Sequence, residues 1–495
     1  MARFNILYLS SEVSPFVKVG GLADVASTFP KVLKDQNHDI RVFLPKYKAI
    51  RDRKFNLREV IRLREIKVPF GKETHTVSVK SGFIPNSKVQ AYFLEYKPFF
   101  ERADIYVDPN TGEGWNDNYL RFAFFSKAAF EMLKVLFWQP DIIHCNDWQS
   151  ALTPHYLKTV YKDDPFFKDV RTVLTLHNLA YQGLFDASVA KEICEESIPF
   201  DEQHSGWFHG RFNFLKAGIL TADILTTVSP NYAEEITGSN EYGYGLEDAL
   251  TSRKDHLFGI VNGINTEEWN PQTDNYLTAN YTAEDLSPKQ KNRTTLIDML
   301  KLNASTKTMI IGIISRLVSQ KGMDLLLGAG NRLMELPICL IILGKGQPEI
   351  EKGLKKLADR FPGRISFTSS FNNKLAHQIE AGADAFLMPS IYEPCGLNQI
   401  YSQRYGTVPI VRRTGGLLDT VIEFNSKTGE GTGFFFKEKT PEALLNAVQR
   451  AYKCFQKPEL WKKIARNGMS QDFSWEHSVE QYLQVYNTVM EEAVV

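Results

Sequence analysis

Short apolar runs recur along the chain. Each is followed by a glycine or polar turn and then by a stretch whose apolar residues return every three or four positions. FNILYLS (4–10) leads into SPFVKVGGLADVASTFPKVL (14–33), and DIRVFLP (39–45) is the next run. PDIIHCN (140–146) precedes DWQSALTPHYLK, TVLTLHN (172–178) precedes a glycine turn, and ILTTVS (224–229) precedes PNYAEEI. In the second half, TMIIGIISR (308–316), CLIILGKG (339–346), DAFLMPS (384–390) and VPIVRR (408–413) are each followed by a helix-length amphipathic stretch. Runs of four to eight apolar residues alternating with helical periodicity predict β-strands joined by helices. Parallel strands need long right-handed crossovers, so the expected class is α/β, with helices on both faces of parallel sheets.

One such sheet would be too large for 495 residues, so two doubly wound domains are expected. The division should fall near the polar, aperiodic stretch 270–293. This gives an N-terminal domain over 1–265, a C-terminal domain over 266–475, and a C-terminal helix over 476–495 that can pack back on the N-terminal domain. No internal repeat or heptad run is present. In open α/β sheets ligands bind outside the carboxyl ends of the strands, so the loops after strands should carry the chemistry.

Lys+Arg and Asp+Glu number 58 each, so the formal net charge is zero. No basic excess favours nucleic acid or an anionic membrane surface as partner. Cys145, Cys194, Cys339, Cys395 and Cys454 show neither C-x-x-C pairing nor zinc-type spacing. Scattered cysteines in odd number fit a reducing compartment. The apolar start is too short for a signal segment, and no stretch reaches about 18 apolar residues, so a cytoplasmic protein is expected.

Six turns hold candidate chemistry. Lys18-Val19-Gly20-Gly21 follows the first strand and opens a helix, where close backbone approach, free amides and a cation suit an anion. Alternatively it is a tight turn with a solvated lysine. Arg316 and Lys321 lie five residues apart after a strand, an arrangement suited to a diphosphate if not merely two surface cations. His144, Asp147 and Trp148 share one turn, and His177 and Asn178 another. Asparagine and tryptophan neighbours fit sugar hydroxyls better than zinc. The D-x-D pair that would hold a divalent ion on a sugar nucleotide is absent. Glu393-Pro394-Cys395-Gly396 opens a helix, where a carboxylate is stabilised. Gly415-Gly416, after Arg412 and Arg413, is a further glycine-to-helix turn. Gly344-Lys345-Gly346 approaches the dinucleotide fingerprint, but Glu349 stands where its third glycine belongs, which argues against NAD.

Together, K-V-G-G-L, H-x-x-D-W, H-N-L-A-Y-Q-G, V-N-G-I, S-R-x-x-x-Q-K-G, E-P-C-G-L and R-R-T-G-G-L, in that order over nearly the whole chain, resemble the bacterial glycogen synthases and plant starch synthases. The resemblance implies two Rossmann-like domains facing across a deep cleft (GT-B type). It implies transfer of glucose from ADP-glucose, with UDP-glucose open, to the non-reducing end of an α-1,4-glucan with retention, and no cofactor or metal. Carried over by motif, Lys18, Gly20 and Gly21 meet the diphosphate, and Gly415 and Gly416 belong with the nucleotide-sugar residues. Arg316 and Lys321 neutralise the leaving group, and His177, Asn262, Glu393 and the amides of Cys395 and Gly396 hold glucose hydroxyls. Phe371 stacks on the base where some relatives have tyrosine, while Asp147 and Trp148 lie toward the acceptor. Same-face attack assisted by the leaving phosphate is the implied course.

Rival readings remain. A retaining glycosyltransferase with a small-molecule acceptor need not keep the H-x-x-D-W and H-N-L-A-Y-Q-G loops. A dehydrogenase needs the full glycine fingerprint. A non-catalytic glycan-binding relative would be expected to lose Lys18, Arg316, Lys321 or Glu393.

Overall fold

In the computed structural model, which describes residues 3–193 and 201–491, the apolar runs are strands of two largely parallel sheets in two units. Cys194 lies outside the described residues. One unit takes in Met1–Val228, Ala233–Gly263 and Trp475–Val495, the other Ser229–Tyr232 and Ile264–Ser474. The polar stretch 270–293 lies within the second unit, and the helix Trp475–Glu491 within the first. Among the described residues no helix is long and apolar enough to cross a membrane.

The second unit holds six parallel strands. Their spatial order is Ile365–Thr368, Ile338–Leu343, Met309–Ile314, Ala385–Met388, Val408–Arg412 and Phe434–Phe436. That is third, second, first, fourth, fifth, sixth in chain order, so successive crossovers leave the first strand toward one edge and then return to the other. Side chains alternate across a strand, and both faces are covered. Met309, Ile311 and Ile313 join one apolar core, while Ile310 joins the other beside Leu375 and Ile379. Gly312 makes room on that second face, since a Cβ there would lie 2.5 Å from Ile379.

In the first unit the order is Leu257–Gly259, Ile224–Thr227, Arg171–Leu176, Ile142–Asn146, Asn5–Leu9, Asp39–Pro45 and Gln90–Glu95, all parallel. Glu73–Phe83 then adds on antiparallel, itself paired with Ile66–Phe70 and Arg58–Glu59. The switch in direction falls between Asn5–Leu9 and Ile142–Asn146.

The C-terminal helix seals this unit's core. Phe29 packs against Tyr482 at 4.7 Å and Trp475 at 5.6 Å between ring centres. Tyr486 contacts His144 Nδ1 at 2.6 Å, and His144 Nε2 meets Thr175 Oγ1 at 2.6 Å, itself 2.6 Å from Thr226 Oγ1. Burial pushes the His144 imidazole down to about 3, so it is neutral and both ring nitrogens are occupied. This histidine therefore braces the core; it is no ligand or catalytic base. Tyr486→Phe leaves one buried ring nitrogen unsatisfied and should cost about 1–3 kcal/mol. Thr488→Ala, which removes only a hydroxyl bonded to its own helix at Gln484, should change stability by less than about 0.5 kcal/mol. Urea unfolding of both variants checks the contrast.

Candidate active site

The second unit's candidate site sits where its strand order turns. Met309–Ile314 and Ala385–Met388 register at only two positions, Ile311 with Ala385 and Gly312 with Phe386. Beyond them the carboxyl ends are free to part, and a crevice at such a switch point is the usual ligand position in open α/β sheets. The loop after the first of these strands carries Arg316 and Lys321, and the loop after the second carries Glu393. They meet: Lys321 Nζ lies 2.5 Å from Glu393 Oε2, and Ser390 Oγ donates to the same oxygen at 2.9 Å. Both members of the pair are largely buried. Arg316 is exposed, and its guanidinium makes no hydrogen bond or ion pair among the described residues.

Backbone contacts lock the two loops together. Gly322, at φ 66°, passes so close to Pro389 that a Cβ would lie 1.9 Å from its carbonyl oxygen. Ile391 N donates to Gln320 O at 2.9 Å, and Asn398 Nδ2 to Ile314 O at 2.6 Å. Buried Arg412 bonds the carbonyls of Ser390 (2.8 Å) and Ile391 (2.5 Å). Sequence reasoning took Arg412 as a cation beside a glycine anion site, whereas the structure uses it to hold the loop that presents Glu393. Gly416 is likewise structural. Its amide donates to the carbonyls of Glu393 and Pro394 at 3.1 Å, and a Cβ would lie 2.5 Å from Cys395. The Gly344-Lys345-Gly346 turn packs on Ser315 and Leu317 with no room for a Cβ. Phe371 is 85% exposed in the loop after the strand Ile365–Thr368.

In the first unit, the carboxyl ends of three strands converge on His177. Asn146 Nδ2 donates to Leu9 O at 2.8 Å, which fixes the amide so that Oδ1 accepts from Tyr8 OH (3.0 Å) and from His177 Nε2 (2.9 Å). Nε2 therefore carries the proton. Burial pushes the imidazole down to about 3, so Nδ1 is a lone-pair acceptor at neutral pH. Such a nitrogen suits a hydroxyl proton. Asp147 takes the amides of His177 (2.7 Å) and Asn178 (3.4 Å) on Oδ1, so it positions the histidine loop. It holds a left-handed φ of 53°, a conformation aspartate tolerates better than most residues. Asn262 is 6% exposed, and its Oδ1 is buried without a partner among the described residues, a group waiting for a donor.

The glycine turn differs from expectation in one respect. The buried Glu12 carboxylate accepts from Val19 N (2.5 Å) and Gly20 N (2.9 Å) on one oxygen and from Tyr106 OH (2.9 Å) on the other. The Gly20 amide is thus occupied within the chain. The Gly21 amide makes no hydrogen bond among the described residues. Lys18 pairs with Asp24 at 2.7 Å. Sequence reasoning missed Glu12, though an acid in the S-S-E-V-S-P-F segment between the first strand and a glycine turn was the available signal. Trp148, expected at the acceptor, is buried edge-on against Phe122, Phe185 and Phe214, with Gly183 closed against its ring. Among the described residues no group of three or more His, Cys, Asp or Glu is placed to hold a metal.

Burial pushes the Asp147 carboxyl up to about 7 despite its two amide donors. Between about 3.9, the unfolded value, and 7 the folded state therefore keeps a proton that the unfolded chain has lost. That favours the fold at low pH, and the advantage fades as pH rises toward 7. Asp147→Asn should remove this dependence, so the variant's melting temperature should gain on wild type between pH 5 and pH 8. Parallel thermal melts across that range check it.

Residues 5–252 match the family described as "Starch synthase catalytic domain", and residues 297–468 match "Glycosyl transferases group 1". The glycogen synthase of Desulforudis audaxviator is 44% identical, with 98% of this chain and 97% of that one covered. That of Thermotoga petrophila is 42% identical, with 98% and 99% covered. The solved catalytic domain of starch synthase IV from Arabidopsis thaliana, bound to ADP and acarbose, superposes with a TM-score of 0.89 at 32% identity, covering 99% of this chain and all of that one. The chain belongs to the glycogen synthase and starch synthase family of glycosyltransferases.

Proposed function

We propose that the protein is an ADP-glucose-dependent glycogen synthase that adds glucose, with retention, to the non-reducing end of an α-1,4-glucan. The observation that carries this reading is the Lys321–Glu393 pair at the second unit's switch point, with Arg316, exposed and unpartnered among the described residues, on the same loop as Lys321. A diphosphate needs cations and a glucosyl unit needs a carboxylate acceptor for its hydroxyls; here the two lie side by side. The names of the relatives support the glucan product, and the ADP held by the Arabidopsis starch synthase supports the choice of donor.

The roles follow from each group's surroundings. Arg316 and Lys321 take the diphosphate, whose charge grows as the bond from the anomeric carbon to phosphate oxygen breaks. Glu393 and the Gly396 amide take glucose hydroxyls. In the first unit, the neutral His177 Nδ1 and Asn262 Oδ1 accept further hydroxyl protons, and Lys18 and the Gly21 amide meet phosphate oxygen. The acceptor hydroxyl attacks the face from which the nucleotide leaves, and its proton passes to the departing phosphate oxygen. Phe371 stacks on the base. The assignment of residues such as Lys18 to phosphate, with no D-x-D in the chain, also leads us to propose transfer without a divalent metal.

Arg316→Ala is the cleanest test, since an exposed, unpartnered side chain should leave stability unchanged. It should lower kcat by roughly 10²–10³ while KM for ADP-glucose moves far less, the scale for losing one preorganised donor. Arg316→Lys should recover only part. An unchanged kcat would overturn the leaving-group role. Lys321→Ala should also lower the melting temperature, because it leaves Glu393 buried without its cation.

The donor can be read independently of turnover. ADP and ADP-glucose should raise the melting temperature more than UDP and UDP-glucose at equal concentration. The reverse order would reassign the base, and activity that collapses in EDTA and returns with Mg²⁺ would overturn the metal-free proposal.

A further inference from the structure

Two large aromatic side chains stand exposed next to the His177 loop, and the reaction assigned above gives neither a role. Tyr181 is 54% exposed and Tyr244 40%. Tyrosines scattered singly on a surface need no explanation, but these two are mounted on one another's loops. Gln182 Nε2 donates to Tyr244 O at 3.0 Å, and Gln182 Oε1 accepts from Asn213 Nδ2 at 2.7 Å. Asn213 is itself fixed through Lys216 N at 2.9 Å. Leu179, fully buried, anchors the first loop. Tyr244 holds a left-handed φ of 50°, a strained position for a tyrosine, and Gly245 beside it lies against Phe208. Partial burial, with the neighbouring Tyr181 and Tyr242 hydroxyls, raises the Tyr244 phenol above its ordinary range. The loops that carry the two rings are therefore tied together, and the Tyr244 backbone holds its turn at some conformational cost.

We propose that Tyr181 and Tyr244 form a ledge that binds an α-1,4-glucan through several sugar units beyond the reacting end. This rests on the glycogen synthase reading above and names a subsite for its acceptor. A tyrosine ring offers an apolar face for the flat side of a pyranose and a hydroxyl for its polar rim. Over 178–183 and 240–246 the only charged residue is Glu241. A ledge without lysine or arginine is unsuited to nucleic acid or an anionic membrane, and its neutrality matches a neutral polysaccharide. Tyr181 follows His177 by four residues, so the ledge continues from the carboxyl edge that carries the sugar-binding histidine.

The test pairs steady-state kinetics with native electrophoresis through gels containing glycogen. Tyr181→Ala and Tyr244→Ala should each raise KM for glycogen about 3- to 10-fold, the scale of one aromatic stacking contact, and should run faster in the glycogen gel. KM for ADP-glucose should stay at the wild-type value, and Tyr181→Phe should keep most of the glycogen affinity. Wild-type KM and mobility in both alanine variants would overturn the ledge. So would an equal rise in KM for ADP-glucose, which would mean a distorted loop. The gel reads binding without turnover. A wild-type protein that transfers no glucose yet is retarded through these tyrosines would refute the proposed reaction and uphold the ledge.

Discussion

The candidate donor site depends on a constraint of parallel sheets. Neighbouring strands Met309–Ile314 and Ala385–Met388 are the first and fourth of their unit, and their outgoing chains leave in opposite directions. Helices cannot fill the space above both, so the sheet keeps an opening at its carboxyl edge. Register ends after Gly312 and Phe386, and the loops that follow can cross toward each other instead of continuing upward. Lys321 and Glu393, 72 residues apart in sequence, meet there. Gly322 and Asn398 belong to the same solution: one lets the backbones touch at Pro389, the other ties the Glu393 loop to the end of the first strand.

The first unit meets the same constraint with polar side chains in the sheet ends. Asn146 joins its own strand to Leu9 across the switch and turns its carbonyl oxygen toward His177. The chemistry of His177 is thereby decided before any ligand arrives: neutral, protonated at Nε2, accepting at Nδ1. A histidine bound this way makes a poor general base with a pKa near 3, and a good partner for a hydroxyl. Asn262, whose buried oxygen meets no donor among the described residues, is the second acceptor of this kind. In the proposed reaction, hydroxyl recognition in this unit would therefore rest on neutral acceptors.

The strand–turn–helix rhythm was legible because buried parallel strands are apolar on both faces, so each reads as a short continuous run. The region between 46 and 139 was not. Ile66–Phe70 alternates buried and exposed residues at a sheet edge, and the helix Asn118–Leu136 is buried on nearly all sides, leaving no polar stripe to mark its period. Motifs located the loops of the site: type and spacing paired Arg316 with Lys321, and the family resemblance added Glu393 to them. What spacing could not reveal was which polar groups are already engaged. Arg412, Gly20, Gly416 and His144 all have the composition of ligand-binding residues, yet each is taken up by an internal partner.

Those internal partners bear on how an anion would bind. Lys18, assigned to phosphate, is held by Asp24, and the Val19 and Gly20 amides by Glu12. The Lys18–Asp24 pair is 42% and 33% exposed, in the range where an ion pair contributes about 0–1 kcal/mol, so exchanging the carboxylate for phosphate costs little. The Lys321–Glu393 pair is different: at 17% and 7% exposure, separating it would leave a buried carboxylate without its cation. It should therefore persist when ligand is bound, with Lys321 reaching phosphate by its remaining N–H groups and Glu393 reaching hydroxyls by its other oxygen. On this account Lys321 and Glu393 form the fixed frame of the site. Arg316, which has no partner to give up among the described residues, is the cation most free to follow charge as it develops on the leaving group.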